Sequence, residues 1–192
     1  MGSLVLTGDT SGSVTVAVPL VAGSNTATIA AATGTHFPFT AGTSVASTSG
    51  TSIDFTSIPS WVKRVTVMFS GVSTNGSSVV QVQLGSGSVT TSGYVGASDN
   101  QASSGGSTTS FSSGLALERT ATSAYVRQGL ATFCLIGSNT WVGTYLGCTT
   151  GSLTVAFGST AVTLGGALDR VRITTVNGTD TFDAGSINIL FE

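Results

Sequence analysis

Apolar residues recur at every second position along most of this chain. In "SVTVAVPL" Val14, Val16 and Val18 fall on one side, with Thr15 and Ala17 on the other. In "KRVTVMFSGV" Val65, Val67 and Phe69 alternate with Arg64, Thr66 and Met68, and in "SVVQVQLG" Val80, Val82 and Leu84 oppose Gln81 and Gln83. "LDRVRITTV" sets Val171 and Ile173 against Arg170 and Arg172, and "SINILFE" aligns Ile187, Ile189 and Phe191. A period of two with one dry and one wet face predicts strands of antiparallel sheets. Two segments break the alternation. "LATFCLIG" and "TWVGTYLG" are apolar on both sides, which predicts strands covered twice, by a second sheet or by a neighbouring subunit.

Clusters of Gly, Ser, Asn and Asp separate these runs, and the Asn75–Gly76 and Asn177–Gly178 pairs favour tight turns with positive φ. The one helix candidate is "SSGLALERTATSAY". Three zones follow. Residues 1–47 are rich in Ala, Thr and Gly, with Asp9 as their sole ionised side chain, and read as a strand-rich arm without a core of its own. Residues 48–192 carry both tryptophans and all three tyrosines, and so hold the globular core. Within them "GASDNQASSGGSTTSFSSG", near 97–114, reads as a long polar loop. In "SIDFTSIPSWVKRVTVMF" Pro59 ends a short edge strand. Trp61 then staples the corner, and Lys63 and Arg64 point to opposite faces of the next strand, so they form no basic patch.

Composition sharpens the picture. Charged residues make up 7% of the 192 positions, against roughly a quarter in an ordinary soluble domain. Solubility then rests on hydroxyls, amides and backbone, as in virion proteins and in subunits that bury much of their surface. A net charge of −2 provides no electrostatic case for nucleic acid. No apolar run approaches the ~18–20 residues that span a bilayer, so no membrane insertion is expected. "MGSLVLTGDTSGS" does not read as a signal peptide, so a protein working outside a cell would leave by another route, of which assembly in a host cytoplasm into a particle released by lysis is one. Cys134 and Cys148 read as buried small apolar residues, with a cross-strand disulfide as the alternative.

Three segments carry a resemblance. "GSVTVAVPLVAGSNTATIAAATGT", "SIDFTSIPSWVKRVTVMFSGVS" with its continuation "VQVQLGSGSVTTSGYVG", and "LDRVRITTVNGTDTFDAGSINILFE" together cover about half the chain. They resemble segments of bacteriophage tail-fibre and related virion proteins. The resemblance implies a virion appendage, trimeric, attached to other virion proteins by its N-terminal part and ending in a β-sandwich head. Most such fibres have a longer shaft, so a short stub and a capsid-mounted version both stay open. An arm of thin strands agrees with this, because its unpaired edges need partners.

Enzymatic chemistry finds little support. His36 is the single histidine, no G-x-S-x-G elbow occurs, and no opposed carboxylate pair of the kind a glycan hydrolase uses is evident. Asn177, Asp180 and Asp183 stand at three-residue steps on a turn and strand, a set of oxygen ligands that Ca²⁺ accepts. The spacing is not that of a known calcium loop. Turn capping, with Asp169 or Asp180 paired to Arg170 or Arg172 across a hairpin, is the simpler reading. No cofactor is called for. For glycan or receptor contact the available parts are the aromatic faces of Trp141, Tyr145, Tyr94 and Tyr125 and the loop residues Asp99, Asn100 and Gln101. Core or interface packing is the competing use of each aromatic ring.

The expectation is thus an all-β protein: an extended N-terminal arm followed by a jelly-roll-like antiparallel β-sandwich, forming a homotrimer. Its function would be that of a short tail fibre or fibre tip that attaches non-covalently to a host surface. A capsid decoration or head-fibre protein that docks on capsomers is the alternative, and a glycan-degrading enzyme is the least favoured.

Overall fold

A computed structural model describes residues 40–101, 107–151 and 154–192, together with the backbone of two strands nearer the N-terminus. The chain divides into two compact units, Met1–His36 and Phe37–Glu192. In the first, β1 (Ser3–Thr7) and β2 (Ser13–Ala17) form an antiparallel pair with Val5 opposite Thr15. His36 and Asp9 lie outside the described residues.

The second unit is built from two antiparallel sheets. Its strands are β3 (Thr40–Ala41), β4 (Val45–Ala46), β5 (Ser52–Thr56), β6 (Arg64–Thr74), β7 (Val80–Ser86), β8 (Ser88–Val89) and β9 (Val95–Gln101). There follow β10 (Thr109–Phe111), β11 (Leu115–Ala116), β12 (Val126–Gly137), β13 (Thr140–Thr150), β14 (Thr154–Thr163), β15 (Arg170–Thr175) and β16 (Phe182–Phe191). The larger sheet has the order β10-β9-β14-β13-β12-β6-β16-β3, with β4 also on β16. The smaller has the order β11-β7-β15-β5, with β8 hairpinned onto β7. The inward residues of both sheets merge into one core, in a β-sandwich-like arrangement. A satellite cluster of Val79, Ala116 and Ala121, with Phe111 and Tyr125 against it, lies apart from that core.

Alternation places the faces where the pattern predicts. Val65, Val67 and Phe69 of β6 are buried, as are Val80, Val82 and Leu84 of β7, Val171 and Ile173 of β15, and Ile187 and Ile189 of β16. The strand before Pro59 is the edge of the smaller sheet. At the corner beyond it Ile58 and Val62 are buried, whereas Trp61 is half-buried and tilts against Phe191 with ring centroids 6.1 Å apart. Lys63 and Arg64 are both exposed, and Arg64 pairs with Glu192 at the far end of the chain.

Several expectations are corrected. The polar stretch near 97–114 is not simply a loop: β9 and β10 lie within it and pair, and β9 also pairs with β14. Its hydroxyls and amides have backbone ladders and buried partners to satisfy, so polarity there does not mean solvation. The helix candidate forms none; Leu115–Ala116 is a strand and Leu117 and Glu118 are buried. Residues 40–46, assigned to the arm by composition, pair with β16. The tight two-residue turn is at Ser138–Asn139, both with positive φ (48° and 60°), between β12 and β13. Of the two Asn-Gly pairs, positive φ occurs at Gly178 (70°) alone.

Among the described residues, the doubly apolar strands β12 and β13 are covered on one side only. Trp141, Gly143, Tyr145 and Gly147 share the inward parity of β13. The glycines make room for neighbouring rings: a Cβ on Gly143 would stand 2.5 Å from the Phe133 ring, which lies opposite it across the ladder. Cys134 and Cys148 are free and exposed rather than buried. Their parity turns them outward, and Cys134 opposes Val142 while Cys148 opposes Gln128, so they do not face each other.

Candidate functional site

The residues singled out for glycan contact do not assemble into a surface. Trp141 and Tyr145 are each 1% exposed and belong to the core. The Tyr145 ring meets Phe69 edge-on at 6.0 Å, and its hydroxyl donates to the Gln128 carbonyl. Tyr94 is buried; its hydroxyl accepts the Leu84 N–H at 2.7 Å, and burial pushes its pKa up to about 12. Tyr125 is half-buried on the satellite cluster. Asp99 and Asn100 are buried clamps. Asp99 Oδ1 accepts the N–H groups of Asn100 and Ser107, and Asn100 ties down the Arg119 N–H (2.6 Å) and the Thr120 carbonyl (3.3 Å). Gln101 is exposed at the end of β9. For Trp141 and Tyr145 the cause is plain: aromatic rings on a strand between two others go to the core face, where they bury most area.

The oxygen cluster near the end is split as well. Asn177 Oδ1 accepts the Thr179 and Asp180 N–H groups, its Nδ2 donates to Asp180 Oδ1, and Asp180 Oδ2 accepts the Ser78 N–H. Asp183 instead accepts a bond from Ser73. Asn177 and Asp180 therefore cap a turn, and Asp183 is not with them. Among the described residues no three His, Cys, Asp or Glu side chains group as a metal site. Asp169 does pair with Arg170, but Arg172 takes Asp54 and Asp180 takes no arginine.

A buried ion pair escaped sequence reasoning. Glu118 and Arg127 are both fully buried, with Arg127 Nε 2.7 and 2.9 Å from the two carboxylate oxygens and Nη2 2.6 Å from Oε1. Burial pushes the Glu118 carboxyl up, against the opposing pull of Arg127. Glu118 follows β11 of the smaller sheet and Arg127 belongs to β12 of the larger, so the pair ties one sheet to the other. Nothing in the spacing of these two residues announces it.

Two outer faces remain as candidates. On the larger sheet Leu130 opposes Leu146, and Leu146 opposes Phe157, so the three form one row across β12, β13 and β14. A second row is Cys134, Val142, Ala161 and Val95, and a row of Thr66, Thr132, Thr144 and Ser159 runs between them. Leu146 is 65% exposed and Leu130 51%, and Val142, Val155 and Phe157 are exposed too. Across β12–β14 this face has no charged side chain among the described residues; Asp99 of β9, opposite Phe157, ends the first row, and Arg64, paired to Glu192, ends the second.

The outer face of the smaller sheet is a polar grid in register. Gln83, Arg172 and Asp54 stand side by side on β7, β15 and β5, and Gln81, Thr174 and Ser52 form the next row. Arg172 grips Asp54 through Nε (2.7 Å) and Nη2 (2.8 Å). Gln81 and Gln83 are only 2% and 4% exposed, although they point away from the core. The segment between β10 and β11 covers them: Ser113 donates its hydroxyl to Gln81 Oε1, and the Gln83 amide donates to the Ser113 carbonyl. With Thr91 and the turn at Val176–Gly178 this segment walls a groove of about 300 Å³. The Gln/Gln and Arg/Arg alternations were legible as an outward face, but their enclosure was not.

Comparison of the chain with known protein families, with curated proteins and with solved structures finds no match.

Proposed function

We propose that this chain is a bacteriophage virion structural protein, a homotrimeric short tail fibre or fibre tip that attaches to a host surface without covalent chemistry. The observation that carries this reading is the apolar, uncharged outer face of β12–β14. Exposed rows of large apolar side chains, here two with a hydroxyl row between them, are what subunit contacts use. A protein with 7% charged residues has little else to keep free copies apart. The N-terminal segment, with its own paired strands, attaches to other virion proteins.

Pairing order supports the jelly-roll-like description. β6 pairs with β16, β7 with β15, β9 with β14 and β12 with β13, as in one long hairpin wound over a core. β12 and β13 stay in the larger sheet rather than crossing to the smaller, which makes the two sheets unequal.

A capsid decoration or head-fibre role uses the same apolar face against a capsomer instead of against further copies. Sedimentation equilibrium separates the two. The fibre reading expects three times the 19.0 kDa chain mass in solution, falling to the single chain for Leu146→Asp. Immunogold label on the tail, with binding of the purified trimer to host cells, is the companion result. A monomer that binds expanded capsids and not cells would replace the fibre by the decoration protein, and release of sugar from the bound surface would make it an enzyme.

A further inference from the structure

The groove on the smaller sheet has the chemistry of a saccharide site. Its lining mixes side-chain amides, a guanidinium and hydroxyls, so donors and acceptors alternate over a small area. Sheet geometry sets their spacing at roughly 4.8 Å between strands and roughly 6.8 Å between same-face residues along a strand. Those intervals match the spread of hydroxyls around a pyranose ring. Gln83 is the informative residue. The residue is 4% exposed, and its Nε2 is held by the Ser113 carbonyl at 2.8 Å, which fixes the amide and leaves Oε1 as its acceptor on the groove. Gln81 is held by the same residue, its Oε1 accepting the Ser113 hydroxyl, so the amides are oriented before any ligand arrives.

Charge narrows the class of ligand. The Arg172 guanidinium is already matched by the Asp54 carboxylate in a two-bond fork, so this floor presents no net charge to an anion. The fork uses Nε and Nη2, and Nη1 takes no part in it. At about 300 Å³ the groove is at the small end of ligand sites, the size for one sugar residue rather than a chain. No aromatic ring lines it, so a single site binds weakly, and three copies on one trimer supply the avidity.

We propose that this groove binds a neutral, hydroxyl-rich saccharide, with the Gln83 carbonyl oxygen and the Arg172 guanidinium, its charge matched by Asp54 beside it, as polar contacts. That the saccharide belongs to a host surface rests on the virion reading; the binding itself does not. The test is an array of neutral mono- to tetrasaccharides, with sialylated, sulfated and phosphorylated glycans as the charged arm, probed with the full-length protein. The native chain should bind neutral glycans. Gln83→Leu should cut that signal roughly tenfold, the loss of about one well-placed hydrogen bond. Thr91→Trp, at an exposed position on the rim, should block the groove without touching its bonds, which keeps the test decisive if Gln83→Leu melts early. No bound neutral glycan, binding to charged glycans alone, or binding that survives Thr91→Trp would each overturn the proposal. The array reads purified protein, so these outcomes stay separate from immunogold labelling of the particle: label absent with glycan bound removes the virion reading and leaves the groove.

Discussion

The two sheets share one core, yet their outer faces have opposite chemistry. On β12, β13 and β14 the outward positions include Leu130, Leu146, Phe157 and Val142, all exposed, in two rows with the hydroxyl row of Thr132, Thr144 and Ser159 between them. On β7 and β15 they are Gln81, Gln83, Arg172 and Thr174, each held by a hydrogen bond to a neighbour. The exposed face is the apolar one, and the half-covered face is the polar one. Burial within the chain therefore does not decide the composition of either face; on the reading proposed above, what each is to meet does. An apolar face suits another protein surface, and an amide and hydroxyl face suits a ligand with hydroxyls.

The comparison breaks most directly at the link between the sheets. Arg127→Met should cost about 3–5 kcal/mol in urea unfolding, because it leaves the Glu118 carboxylate buried and unpaired. Replacing both, with Glu118→Leu added, should recover most of that loss. A single variant as stable as the native chain would mean that the pair does not couple the sheets.

The faces themselves come next. Gln81→Ala should cost about 1–3 kcal/mol, since it strips a buried partner from the Ser113 hydroxyl. Leu130→Ser on the other face should change the stability of dilute monomer by no more than about 0.5 kcal/mol while weakening self-association measured by sedimentation. If Leu130→Ser unfolded the monomer and Gln81→Ala did not, the assignment of the two faces would be reversed.

Smaller effects sharpen the polar side. Arg172→Ala should cost about 1 kcal/mol or less, because its pair with Asp54 is substantially exposed to solvent. Asp169 provides a pH test. The Arg170 side chain, bonded to it at 2.7 Å, and the Gly87 N–H hold its carboxyl below the ordinary value. A lowered folded-state pKa stabilises the fold above the unfolded value, near about pH 4, and that contribution disappears as pH falls through the folded one. Melting temperatures of native protein and Asp169→Asn should accordingly converge on acidification. The gap at neutral pH should be small, given the exposure of the pair.

Much of the strand content was legible because a period of two needs no partner to be seen. Val65, Val67 and Phe69, or Val171 and Ile173, declare a core face whatever they pair with. The candidate site was not legible. Asp99 and Asn100 look like loop polar residues, but β9 runs beside β14 and turns them into buried clamps. Trp141 and Tyr145 share strand parity, as expected, and that parity is the core one. For β12 and β13, apolar on both sides, periodicity cannot say which side is inward. Phe133 settles against Gly143, and the opposite faces of both strands turn outward.

What the amino-acid sequence determined by itself is therefore local: an all-β chain, most of its strands, the inward parity of the alternating ones, and a surface almost without charge. The tertiary structure alone decided the strand order, the exposure of Leu130 and Leu146, the Glu118–Arg127 tie and the cover that Ser113 lays over Gln81 and Gln83. The physical reason is range. Alternation and turn chemistry act between neighbours along the chain, whereas a groove or an ion pair depends on which distant strands come to lie side by side.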